Sequence, residues 1–192
     1  ALEYPVSTLE LDVAISKDGE VIVSHEPWFN HAISSHPDGK PVTEAEEKDL
    51  LIYQMTYEEI KKYDVGLRGN PRFADQVAMA ATKPSLADMV KAVDEYCEKN
   101  NRDKPNFDIE VKSQPDYYDV KTPQPKEYVS IVLQAIKKAG IEDRSNLQSF
   151  DLNVLEEINR QAPNMVVAYL IDNFTNTDSP NANLEKLTFQ PD

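Results

Sequence analysis

The residues that could do chemistry fall at a two-residue spacing in two short stretches. In Leu9-Glu10-Leu11-Asp12-Val13-Ala14-Ile15, the apolar Leu9, Leu11, Val13 and Ile15 alternate with Glu10 and Asp12. In Asn106-Phe107-Asp108-Ile109-Glu110-Val111-Lys112, Phe107, Ile109 and Val111 alternate with Asp108, Glu110 and Lys112. A period of two is that of a β-strand with two chemically distinct faces. Carboxylates side by side repel, and burial makes their ionisation harder, so they persist where a cation neutralises them. Glu10, Asp12 and Glu110 are therefore candidate oxygen ligands for one hard divalent ion, calcium or magnesium, which ligand type alone does not separate. Alternation by itself equally allows both polar faces to look at water, as on an antiparallel sheet. Lys112 shares the face of Glu110. It is either a positive contact for an anionic substrate or an ion-pair partner of Glu110. A histidine can move a proton near neutral pH, and the chain has three, His25, His31 and His36.

Elements must hold these groups. Lys17-Asp18-Gly19-Glu20 reads as a tight turn that joins the first strand to a second at Val21-Ile22-Val23-Ser24, so a hairpin delivers His25 to a loop. Residues 28–54 show no clear period, and about 26–83 reads as a loop-rich insertion. Within it, Thr56 with Glu59 is a capping box that predicts a short helix to about Tyr63. Ser85 with Asp88 caps an amphipathic helix through Leu86, Met89, Val90, Val93, Tyr96 and Cys97. A third helix is expected from about Pro125 to Ala139, ended by Gly140. Asn146 to Phe150 reads as a strand, Asp151 as the cap of a fourth helix, and Met165 to Ile171 as another strand. Residues 172–183 read as a polar turn, with a further element at Glu185 to Phe189.

From Ser85 onward helix and strand alternate, which is the rhythm of parallel strands with crossover helices. A (β/α)8 barrel is preferred to an open sheet because the acidic faces need an enclosed point of convergence. In such barrels functional groups lie toward the C-terminal ends of the strands. Ala1-Leu2-Glu3-Tyr4-Pro5 reads as the last turn of a helix, and the C-terminal residues as a strand followed by an abrupt stop. The expectation is one partial barrel domain over 1–192, continued beyond both ends.

Composition removes some function classes. The chain has 192 residues, is 40% hydrophobic and carries a formal net charge of -14. No basic surface is available to displace counterions from nucleic acid or to dock on an anionic membrane. No apolar run is long enough to span a bilayer. The single cysteine, Cys97, sits at an apolar helical position and reads as a buried, inert thiol.

Glu10-Leu11-Asp12-Val13, Lys17-Asp18-Gly19 and Val23-Ser24-His25-Glu26-Pro27 together resemble the glycerophosphodiester phosphodiesterase family, which has a Glu-X-Asp pair, a Lys-Asp-Gly turn and a His-Asp-Pro element in this order. Ile109-Glu110-Val111-Lys112 is similar to its Glu-X-Lys strand, Gln148-Ser149-Phe150-Asp151 to its Ser-Phe-Asp strand end, and Lys83-Pro84-Ser85-Leu86 to its helix-opening Pro-Thr-Leu. Each motif is weak alone, and their order and spacing make the match specific.

The resemblance implies a TIM-barrel phosphodiesterase that hydrolyses a small glycerophosphodiester to an alcohol and glycerol 3-phosphate. Glu10, Asp12 and Glu110 would hold calcium or magnesium, His25 would be one of two catalytic histidines, and Lys112 would contact phosphate. A periplasmic or secreted location is implied in the same way. The family's other histidine, in a His-Arg-Gly motif, and its later strands, one with a functional tryptophan, have no counterpart here. Glu26 stands where the family has aspartate. The chain is roughly 60 residues short of a typical barrel.

Other readings stay open at this point. They are a catalytically inactive phosphodiester-binding barrel, a phospholipase-type barrel phosphodiesterase and a metal-dependent isomerase on the same barrel. Trp28 and Phe29 either wall the alcohol group or only pack the loop. Ser149 either lines the pocket or packs. Asp108 is expected deeper in the barrel. His31 and His36 are expected in solvent, and the acidic run at 44–49 as a solvated face.

Overall fold

A computed structural model describes residues 1–171. Strand β1 (Thr8–Ile15) and strand β2 (Val21–Val23) form the expected antiparallel hairpin, with Val13 opposite Val23 and Ile15 opposite Val21. The turn between them needs a left-handed residue, and Gly19 supplies it at φ 83°. Strands β3 (Asn106–Val111), β4 (Ser145–Ser149) and β5 (Val167–Tyr169) then add in parallel, giving the order β2-β1-β3-β4-β5.

Helix α1 (Tyr57–Ile60) lies between β2 and the first crossover, and α2 (Leu86–Lys99), α3 (Pro125–Ala139) and α4 (Leu152–Gln161) are the crossovers. Their starts and stops are local. Ser85 Oγ accepts the Asp88 N–H, Asp151 accepts the Asn153 N–H, and Gly140 closes α3 at φ 67°. All three crossovers bury their stripes against one face of the sheet. Leu11, Val13, Phe107, Ile109, Val111 and Leu147 meet Val90, Cys97, Val129, Val132, Ile136, Val154 and Ile158 in one core. Fully burying such a side chain contributes about 1.5–3 kcal/mol, so this face fixes which way every strand is turned. The opposite face carries Glu10, Asp12, Asp108 and Glu110. Helices on one side and polar groups on the other is the plan of a barrel wall, not of a sheet covered on both faces.

The stretch between β2 and α2 has its own small core, which its lack of periodicity hid. Phe29, Val42, Ile52 and Ile60 pack on Ala14 and Ile22. Ala14 shares the face of Glu10 and Asp12, so that face becomes apolar where this stretch covers it. The chain leaves and re-enters the sheet at one place: Val23 N–H donates to the Pro84 carbonyl at 2.9 Å, and Ile22 bridges Ser85.

Several boundaries differ from expectation. The capping box of Thr56 and Glu59 is present, but α1 stops at Ile60 because Tyr63 turns back to stack on Phe29 at 4.2 Å. Residues 1–4 form a turn, with Tyr4 N–H donating to Ala1 carbonyl, not a helical end with a longer ladder. The elements expected at 172–183 and 185–189 lie outside the described residues. Among the described residues no helix is long and apolar enough to cross a membrane.

Candidate active site

Parallel register brings the acidic residues together. Asp12 pairs with Glu110 and, one layer below, Glu10 pairs with Asp108. One carboxylate oxygen from each of Glu10, Asp12 and Glu110 lies within 4.8 Å of the others. Like charges about 4 Å apart repel by about 4 kcal/mol at an intermediate dielectric, so the cluster needs cationic compensation. Lys112, the first residue beyond β3, provides some of it. Its Nζ lies 2.9 Å from Glu110 Oε1 and 3.0 Å from Asp12 Oδ1.

The electrostatics follow from burial. Desolvation pushes the carboxyl of Glu110 up, with Asp12 adding to it and Lys112 opposing. Desolvation also pushes Glu10 up, helped by Asp12 and Asp108. Burial alone pushes the Lys112 ammonium down, but its hydrogen bonds to Glu110 and Asp12 outweigh this and hold it up. Three oxygen donors, two of them reluctant to ionise in the absence of positive charge, are a donor set that suits a hard cation.

Asp108 lies deeper, as expected, and accepts from Asn146 Nδ2 at 2.6 Å. Gln148 Nε2 donates to Glu10 Oε1 at 3.2 Å and so orients it. Only the register could reveal that contact, since Gln148 lies beside Glu110 on β4. Ser149 donates to the Val111 carbonyl and is fully buried, which is a packing role. Tyr128 is also fully buried and donates to the Val13 carbonyl at 2.6 Å, pinning β1 next to Asp12. The loop after β3 is pinned by Asp151, which accepts from Ser113 Oγ at 2.9 Å and Tyr118 Oη at 2.6 Å.

The antiparallel return of β2 places His25. Ser24 N–H donates to the Asp12 carbonyl, so the chain re-emerges beside the carboxylates. The His25 side chain is 68% exposed, and its Nδ1 lies 3.1 Å from Glu26 Oε1. Among the described residues it pairs with Glu26 and with none of the three clustered carboxylates.

The other histidines depart from expectation. His31 Nδ1 lies 2.7 Å from Glu47 Oε2, and His36 pairs with Glu46. The acidic run at 44–49 is thus only partly solvated, with Glu47 buried beneath His31. These pairs hold an aperiodic stretch in shape.

Lys83, which opens the Lys83-Pro84-Ser85-Leu86 motif, is buried, a placement that nothing in the motif signals. Its Nζ donates to Ser24 Oγ at 2.6 Å. Burial pushes its pKa from 10.5 down to about 8, against the pull of Glu26. A base with a lowered folded-state pKa costs stability at every pH below that value, and the cost is relieved as pH rises toward the unfolded value. Lys83→Met is therefore expected to be the more stable protein at pH 7, by up to about 3 kcal/mol. Its advantage should shrink between pH 8 and 10.5. Urea melts of both proteins across that window check this, and a constant difference would refute it.

A model of the glycerophosphoryl diester phosphodiesterase family matches residues 1–190. The chain belongs to that family. A glycerophosphodiester phosphodiesterase of Caldanaerobacter subterraneus subsp. tengcongensis is 25% identical over 170 residues, covering 88% of this chain and 57% of the relative. A crystal structure named as a glycerophosphoryl diester phosphodiesterase from Silicibacter pomeroyi DSS-3 is 27% identical, with a TM-score of 0.78, covering 98% of this chain and 61% of the other. An Oleispira antarctica phosphodiesterase, solved in complex with its product sn-glycerol-3-phosphate, is 18% identical with a TM-score of 0.61, over 94% of this chain and 60% of that one. The chain therefore spans about three fifths of the length of these relatives. Its sheet and one-sided helices are the corresponding part of the family's TIM barrel.

Proposed function

We propose that this chain carries the catalytic face of a phosphodiesterase that hydrolyses a glycerophosphodiester to an alcohol and glycerol 3-phosphate. One observation supports this most: the convergence of Glu10, Asp12 and Glu110 within 4.8 Å, beside Lys112, in a chain of this family. Glu10, Asp12 and Glu110 would hold one calcium or magnesium ion, which when bound supplies neutralisation of the phosphodiester charge and polarisation at phosphorus.

The chain's own residues supply two further parts, phosphate contact and protonation of the leaving group. Lys112 exchanges its carboxylate partners for a phosphate oxygen of the substrate, because its ammonium already lies between Asp12 and Glu110 just past the C-terminal end of β3. His25 gives a proton to the leaving alkoxide, which is too basic to depart unassisted. Glu26 Oε1, 3.1 Å from His25 Nδ1, orients the ring. The small-molecule substrate reading agrees with the net charge of -14, which disfavours nucleic acid.

The test is release of glycerol 3-phosphate from glycerophosphoglycerol by the natural polypeptide, with calcium, with magnesium and with chelator. Ion-dependent release is expected. Binding without cleavage would replace this reading with that of an inactive binding barrel.

A further inference from the structure

Between the loops that follow His25 and Lys112 lies a basic, aromatic patch. Lys48 Nζ sits 3.6 Å from the centre of the Trp28 ring, and Lys121 Nζ sits 5.0 Å from the same centre and 4.2 Å from that of Tyr117. Trp28 and Tyr117 meet edge to face at 6.5 Å. Trp28 follows His25 by three residues, and Tyr117 follows Lys112 by five, so the patch joins the two loops that carry those groups. Tyr117 also feels the charge of Lys112. The loop under Lys121 is braced, since Lys121 and Thr122 N–H groups both donate to the Tyr117 carbonyl.

This arrangement is not self-sufficient. The chain has 34 acidic residues against 20 basic ones, and Lys48 Nζ lies 3.5 Å from Glu47 Oε1, yet among the described residues no carboxylate lies within 4.0 Å of Lys121. Burial and the neighbouring Lys48 push the Lys121 ammonium down, with Asp116 only partly opposing them. The indole Nε1 of Trp28 is buried without a hydrogen-bond partner. A patch serving only to pack the loop would have paired Lys121 with a carboxylate and satisfied the indole N–H. Two ammonium groups on the aromatic rings also shut out a quaternary ammonium, which seeks the same ring faces.

We propose that Lys48, Trp28, Tyr117 and Lys121 form the subsite for the leaving alcohol, and that it selects an alcohol carrying a further negative charge, as a second phosphodiester or a carboxylate. This inference rests on the function proposed above.

The experiment compares kcat/KM of the natural polypeptide for four substrates. They are bis(glycerophospho)glycerol, which carries a second phosphodiester, glycerophosphoserine, which carries a carboxylate, the neutral-alcohol glycerophosphoglycerol, and glycerophosphocholine. One or both substrates with the extra anion should lead at low salt, and which leads identifies the anion. In Lys48→Gln/Lys121→Gln, their advantage over glycerophosphocholine should narrow about tenfold, and raising ionic strength should narrow it in the parent. Turnover of glycerophosphocholine as fast as the anionic substrates, or an unchanged ratio in the double variant, overturns the subsite and leaves the function standing. Hydrolysis of none of the four overturns both.

Discussion

Glu110→Gln is expected to lose divalent-ion binding, with affinity for calcium or magnesium falling more than about a hundredfold, the consequence of removing about 3 kcal/mol of charge interaction from a buried site. Glu110 is the most buried of the three clustered carboxylates, at 6% exposure, and it alone adjoins both Asp12 and Lys112. Glutamine keeps its volume and an oxygen donor, so the change isolates charge. The ion-free variant should be at least as stable as the parent, since burial and Asp12 oppose ionisation of Glu110. Calorimetric titration with each ion, beside a thermal melt, reads both quantities. Unchanged affinity in a folded variant would show that the acidic face binds no ion through Glu110.

His25→Asn should lower kcat by about 10²–10⁴-fold, the range for losing a positioned general acid. Ion affinity and melting temperature should stay close to the parent's, because the ring is 68% exposed and its only described ion-pair partner is Glu26. The loss should depend on the leaving group. A glycerophosphodiester of a nitrophenol departs without needing a proton, so its hydrolysis should suffer much less than that of an alkyl ester. Equal losses on both substrates would remove His25 from the role of proton donor to the alcohol.

What could be read from the sequence was what is local or periodic. The faces of β1 and β3, the caps at Ser85, Thr56 and Asp151, and the left-handed Gly140 each depend on residues within a few positions of one another. The acidic cluster was legible for the same reason. Two period-two stretches offer few ways to converge once a parallel sheet is assumed, although the pairing of Asp12 with Glu110 needed the register itself.

Contacts across long separations in aperiodic chain were not legible. His31 finds Glu47 sixteen residues away, and Lys121 finds Trp28 across about half the length of the chain. Lys83 shows the same limit differently. Nothing in Lys83-Pro84-Ser85 announces burial, because the cover comes from Phe29 and the β2 end. The two faces of the barrel wall were thus readable, and the furniture around its rim was not.

The point at which the excursion after β2 departs from and rejoins the sheet edge, between Ser24 and Pro84, also bears on how such proteins diversify. Because Val23 and Pro84 are joined by a hydrogen bond and Ile22 bridges Ser85, the excursion between them is a closed ring laid on the wall rather than a span across it. Lengthening a closed loop is thermodynamically mild, since doubling it adds only about 0.6 kcal/mol of closure entropy. The carboxylates belong to the wall, while Trp28 and Lys48 belong to the ring. A graft exchanged at those two residues would carry a different rim chemistry onto an unaltered acidic centre. Because His25 lies inside that ring, selectivity can evolve apart from the ion site but not apart from the proton donor.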